Sequence, residues 1–269
     1  MRTGRGELLK DPATPILNTT ATERILCQVA SFIHHEMPIR LARRIKDLDQ
    51  IPGMKDMTSV QAVKDIYISS FLSLIKEPAI QDDVVREALF ARKLEVLYER
   101  HSAVLVQMAK GAYELRSQIQ DSGGLNKKHD TLDFEHWQEC HSFLDRFYMS
   151  RIGIRVLAGQ YLALRRPPME NYIGLICQTT SPHQVVQLAV DDASYMCHSH
   201  FGAAPQVRIH GCLDMTFAYI PTQLHYILLE LLKNAMRATV EHHGAQNITS
   251  WPPIQVIISG KVISLPLDF

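Results

Sequence analysis

Apolar residues recur at helical spacing along the first three fifths of the chain. From Thr22 to about Ile51 the positions are Ile25, Val29, Ile33, Leu41, Ile45 and Leu48, and Pro38 is expected to kink this helix after Met37. Ser59 to Ile75 repeats the pattern with Val63, Ile66, Tyr67, Phe71 and Leu74, and breaks at Pro78. Asp82 or Asp83 can cap a third helix running through Leu94, Leu97, Val104 and Met108 toward Gln120, where Gly123-Gly124 ends it. A fourth runs from about Asp133 to Leu164 with Trp137, Phe143, Leu144, Phe147, Ile154 and Leu157. Each helix has one apolar side to bury, and four such helices joined by connections of modest length predict a four-helix bundle over residues 1–166.

Arg165-Arg166-Pro167-Pro168 ends that periodicity, and a domain boundary is expected there. Beyond it, Tyr172–Cys177, Gln206–His210, Met215–Tyr219 and Ile254–Ile258 read as strands. Ser181-Pro182 opens a helix through about His200, and another begins near Thr222. The order predicts an α/β sandwich over 167–269, with helices on one face of a mixed sheet.

Lys and Arg total 28 against 28 Asp and Glu, so no global charge argues for nucleic acid or an anionic membrane. No apolar run approaches the length of a membrane span. Five widely spaced cysteines without a C-x-x-C point to reduced thiols, with neither zinc site nor disulfide framework. Arg2, Arg5 and Lys10 are too few to define a transit peptide.

The helix near Thr222 carries the most suggestive chemistry. Leu224, Ile227, Leu228, Leu231, Leu232 and Ala235 are expected to form its buried stripe, and Glu230, Lys233, Asn234, Arg237 and Glu241 cluster on another side. Glu230 and Asn234, one turn apart, point the same way. An Asn oxygen suits one position of an octahedral Mg²⁺, and a nearby Glu can take a proton from an attacking hydroxyl. The same spacing equally describes ordinary neighbours on a solvated face.

The run Glu230-Leu231-Leu232-Lys233-Asn234-Ala235-Met236-Arg237-Ala238-Thr239-Val240-Glu241 resembles the N-box of the mitochondrial α-ketoacid dehydrogenase kinases, the pyruvate and branched-chain dehydrogenase kinase family. Phe143–Arg155 resembles that family's last bundle helix, His35–Ile45 its kinked first helix, and Arg100-His101-Ser102-Ala103-Val104 part of its third. The resemblance covers about Ser31 to Ser259. It implies an α plus α/β fold, a four-helix bundle followed by a GHKL-type (histidine-kinase-like ATPase) sandwich. The implied activity is an ATP- and Mg²⁺-dependent serine kinase of the mitochondrial matrix that phosphorylates and inactivates an E1 component. No P-loop and no protein-kinase motif competes with it. Carried over, Glu230 is the general base, Asn234 the Mg²⁺ ligand, Lys233 and Arg237 lie near the phosphates, and His101 lies against Glu230. Tyr67, Ser70, Ser150, Arg151, Ile154 and Arg155 become candidates for a bundle pocket binding an α-ketoacid regulator, where Arg suits a carboxylate. The alternative for the arginine is pairing with Asp145 or Glu139. Implied partners are the E1α subunit and the lipoyl domain of the complex, with a homodimer a further expectation.

After Trp251–Ser259 the family pattern continues into an Asp-x-Gly-x-Gly turn, a lid and further strands, whereas this sequence reads Gly260-Lys261-Val262-Ile263-Ser264-Leu265-Pro266-Leu267-Asp268-Phe269. The chain therefore reads as a truncated or alternatively spliced product with an incomplete ATP site. Three functions follow: a working kinase, a non-catalytic interaction module retaining the bundle, and a phospho-His relay on His101. The second suits the incomplete site best and the third least. Pyruvate and branched-chain E1 remain alternatives.

Overall fold

The computed structural model describes residues 19–51, 53–81, 83–122, 132–244 and 251–260. The chain divides into two compact units, Met1–Arg166 and Pro167–Phe269.

In the first unit, α1 (Thr19–Leu48) stays helical through Pro38, so the proline lies inside one continuous element. It is followed by α2 (Thr58–Ile75), α3 (Val84–Arg100), a 3-10 turn (His101–Ala103), α4 (Val104–Ser122) and α5 (Leu132–Leu164). Asp83 caps α3, its Oδ1 accepting from the amides of Val85 and Arg86 at 2.9 and 3.1 Å. The single third helix expected from the sequence is thus two helices. Leu97, Val104 and Met108 keep one phase across the turn, and no Gly or Pro marks it, so periodicity alone could not show the break.

One continuous core fills the bundle, with Ile33, Met37, Leu41, Tyr67, Leu74, Phe90, Leu94, Met108, Phe147 and Tyr161 among its buried members. Ile25, expected to be inside, is 57% exposed, and Cys27, Ala30 and Met37 take the buried side of α1. The α2–α4 contact is close enough that a Cβ on Gly111 would lie 2.5 Å from Cγ2 of Val60. Beside it, Glu114 of α4 accepts from the amide and hydroxyl of Ser59 at 3.1 and 2.6 Å, supplying the second helix with a cap from outside. Those two hydrogen bonds hold the Glu114 carboxyl below its usual range. A buried carboxylate, Glu87 of α3, accepts from the Tyr161 hydroxyl and from Nε of Arg165 at 2.9 Å, fixing the end of α5.

The second unit runs β1 (Tyr172–Ile173), β2 (Ile176–Thr180), α6 (Pro182–Phe201), β3 (Val207–Gly211), β4 (Phe217–Tyr219), α7 (Pro221–His243) and β5 (Ile254–Ile258). The first expected strand is in fact a hairpin. Gly174, at φ +61°, takes the first position of a two-residue turn, and Ile173 pairs with Ile176. Instead of one mixed sheet, the described strands form an antiparallel β1-β2-β4 sheet and a parallel β3-β5 pair. Ser181 caps α6, its Oγ accepting from Gln184 at 3.4 Å. The small core joins Ala189, Ala193 and Cys197 of α6 to Leu232, Met236 and Val240 of α7, with Val207, Ile254 and Val256 partly buried against them. No helix among the described residues is long and apolar enough to cross a membrane.

Candidate functional sites

Each unit presents one candidate site. In the bundle, a cavity with an empty volume of about 410 Å³, open mouth included, is walled by Tyr67 and Ser70 of α2, Tyr98 of α3, His101 of the turn, and Arg151, Ile154 and Arg155 of α5. Its remaining wall is apolar, from Met37, Leu41, Leu74, Leu94, Leu97 and Ala158. Tyr67, Ser70, Arg151, Ile154 and Arg155 therefore share one space. Ser150, grouped with them by resemblance, is half-buried and does not line it.

Two guanidinium groups from α5 reach carbonyls at the α3–α4 break. Nη2 of Arg151 donates to the His101 carbonyl at 3.0 Å, and Nη1 of Arg155 donates to that of Tyr98 at 3.1 Å. Arg155 also lies 3.9 Å above the Tyr98 ring. Cations at the C-terminal end of α3 complement its dipole, which supplies the arginines with a local role other than pairing with Asp145. Tyr98 was not anticipated as a site residue; its position three before His101 on a helix is the signal that could have found it.

His101 is buried. Its Nε2 lies 2.9 Å from Oγ of Ser70, and its ring meets that of Tyr67 edge-on with centroids 4.6 Å apart. Burial first, and then the positive charges of Arg151, Arg155 and Arg100, lower its pKa to about 4, so the ring is neutral at pH 7. Burial pushes the Tyr67 hydroxyl up to about 12, against the opposing pull of Arg151, Arg44 and Arg155. That hydroxyl is wholly buried and has no hydrogen-bond partner in the structure.

In the second unit, α7 starts at Pro221, and Leu232, Met236 and Val240 form its buried edge. Ile227 and Leu231, expected to be inside, are 44% and 61% exposed. The helix packs along a narrower line than its apolar content suggested, with Met236 and Val240 replacing them. Glu230, half-buried, and Asn234, exposed, stand one turn apart on the side away from that edge. Nζ of Lys233 is 2.8 Å from Oε1 of Glu230, and Nε of Arg237 is 2.7 Å from Oε1 of Glu241. The helix therefore shows a strip of carboxylate, amide and two cations, each cation paired with a carboxylate. His101 belongs to the other unit, and the partner described for it is Ser70.

Residues 14–177 match the family model described as mitochondrial branched-chain alpha-ketoacid dehydrogenase kinase. A mitochondrial [pyruvate dehydrogenase (acetyl-transferring)] kinase of Arabidopsis thaliana is 38% identical over 243 residues, covering 90% of this chain and 62% of its own length. The corresponding kinase of Schizosaccharomyces pombe is 30% identical, covering 88% of this chain and 68% of its own length. Human isozyme 4 is 32% identical, with 85% of this chain and 55% of that protein covered. The chain thus spans between about half and two thirds of the length of these relatives. The chain belongs to the family of mitochondrial α-ketoacid dehydrogenase kinases.

Proposed function

We propose that this chain carries the bundle and part of the GHKL-type nucleotide domain of a mitochondrial matrix serine kinase that phosphorylates and inactivates the E1 component of pyruvate dehydrogenase. The observation that carries this reading is the strip on α7, where Glu230 and Asn234 stand one turn apart with Lys233 and Arg237 alongside. The names of the Arabidopsis, fission-yeast and human relatives support pyruvate dehydrogenase as substrate. The description of the matching family model supports the branched-chain enzyme as the alternative.

The exposed amide of Asn234 and the two neighbouring cations form a donor set suited to Mg²⁺ and to the phosphates of ATP. When bound, the metal would neutralise charge on phosphate oxygens. Glu230 is the base that accepts the proton of the attacking seryl hydroxyl, and Lys233 and Arg237 orient phosphate oxygens. The bundle cavity takes an α-ketoacid regulator through Arg151. The E1α subunit and the lipoyl domain are the partners, and a second copy completes a homodimer.

Titration of Mg·ATP, followed by phosphate transfer to an E1α serine, tests this. Glu230→Gln is expected to lower the rate by about 10²–10⁴-fold, the usual range for a general base. Transfer indifferent to that substitution would refute the assignment. A second reading, an interaction module without transfer activity, is favoured by the contrast between the bundle's extensive core and the small core around α7. Lipoyl-domain binding without nucleotide uptake would select it.

A further inference from the structure

The bundle cavity is cationic on one side only. Around its imidazole stand Tyr67 and Ser70 from α2, Tyr98 and the terminal Arg100 from α3, and Arg151 and Arg155 from α5, with Arg44 of α1 acting on Tyr67. No carboxylate lines the cavity among the described residues. The buried Tyr67 hydroxyl, which has no partner, belongs to the same wall. Burial first, and then these guanidinium groups, oppose a further positive charge and keep His101 neutral down to about pH 4.

A carboxylate on this wall reverses the balance. Its charge offsets the arginines and stands beside the imidazole. At a separation of about 4 Å and an effective dielectric near 20, one such charge is worth about a thousandfold in proton affinity. The partner of His101 suits either state: the Ser70 hydroxyl can donate to a neutral ring nitrogen or accept from a protonated one without moving.

We infer that a monocarboxylate enters the bundle cavity together with one proton, taken from solvent by His101, so that occupancy of this site rises as pH falls. This rests on the reading of the cavity as an α-ketoacid site. It makes His101 a sensor of ligand within the bundle, a role separate from any it has toward Glu230. The bound proton resides on the imidazole, Nε2 then donates to Ser70 Oγ, and the carboxylate remains ionised throughout.

Calorimetric titration of pyruvate into the full chain, repeated in buffers of different ionisation enthalpy, reads the proton directly. The expected result is net uptake of protons on binding at pH 6. Affinity should strengthen by up to about tenfold per pH unit on acidification, levelling near pH 4, where the free ring is itself charged. His101→Gln, which keeps a hydrogen-bonding side chain but cannot titrate, should bind pyruvate with no uptake. The proton resonances of His101 in the unsubstituted chain should move to the imidazolium position on saturation. Binding that Arg151→Gln weakens but that takes up no proton overturns the inference and leaves the carboxylate site standing. Absence of pyruvate binding, or binding unaffected by Arg151→Gln, overturns both.

Discussion

In Met1–Arg166 the ionisable candidates Tyr67, His101 and Arg151 lie among the buried side chains of one continuous core, whereas in Pro167–Phe269 Glu230, Lys233, Asn234 and Arg237 stand on the side of α7 away from a much smaller core. The difference separates two ways of holding reactive groups. Packing sets the properties of the first set, so His101 is neutral and the Tyr67 hydroxyl is hard to ionise. Water bathes the second set, and a pair such as Glu230–Lys233 is screened until a ligand excludes that water.

The contrast breaks most readily in the cores. Phe147 is fully buried against Phe143, Tyr67 and Tyr148, so Phe147→Ala should cost about 3–5 kcal/mol in denaturant unfolding. Leu231→Ala on the exposed side of α7 should stay within about 0.5 kcal/mol, and an equal loss at both positions would erase the distinction. Acid is the next lever. His101 falls from an ordinary 6.5 to about 4 on folding, so the unfolded chain binds the extra proton between these values. Its contribution is complete above pH 6.5 and is lost as pH falls toward 4, a change of about 3 kcal/mol in unfolding free energy that His101→Gln should abolish. Glu114 acts in the same direction at lower pH, because its folded carboxyl is depressed by Ser59.

Smaller effects sharpen the comparison at the surface. Asp83→Ala removes an oxygen shared by two amides and should lower stability by about 1 kcal/mol, seen as earlier fraying of α3 in hydrogen exchange. Lys233→Met should change stability by less than about 0.5 kcal/mol while weakening any phosphate contact, so a large unfolding effect would mean that the pair is structural rather than poised for a ligand.

How much was legible follows the same division. The bundle helices obey one period over many turns, so their existence could be read from Ile33, Leu41, Val63, Tyr67, Leu94 and Phe147 without knowing their partners. The break at His101–Ala103 was not legible, because the groups that reach its carbonyls, Arg151 and Arg155, come from another helix about fifty residues away. On α7 the spacing of Glu230 and Asn234 was plain, but which apolar flank was buried depended on α6, and Ile227 and Leu231 were misassigned. Sheet pairing was the least legible: β3 pairs with β5 across an intervening strand and helix, and nothing local records that choice. The grouping of the bundle arginines with Tyr67 and Ser70 was expected from resemblance alone, and Tyr98 beneath Arg155 follows only from the packing of α3 against α5.

The triad of Tyr161, Glu87 and Arg165 sits at the last turn of α5, immediately before the chain leaves the bundle. Because the carboxylate belongs to α3, the exit point is bolted to a helix nearly eighty residues earlier, and strain applied to the downstream chain would meet this anchor before it could peel α5 from its neighbours. A nick in the Pro167-Pro168 stretch would leave that anchor fastened.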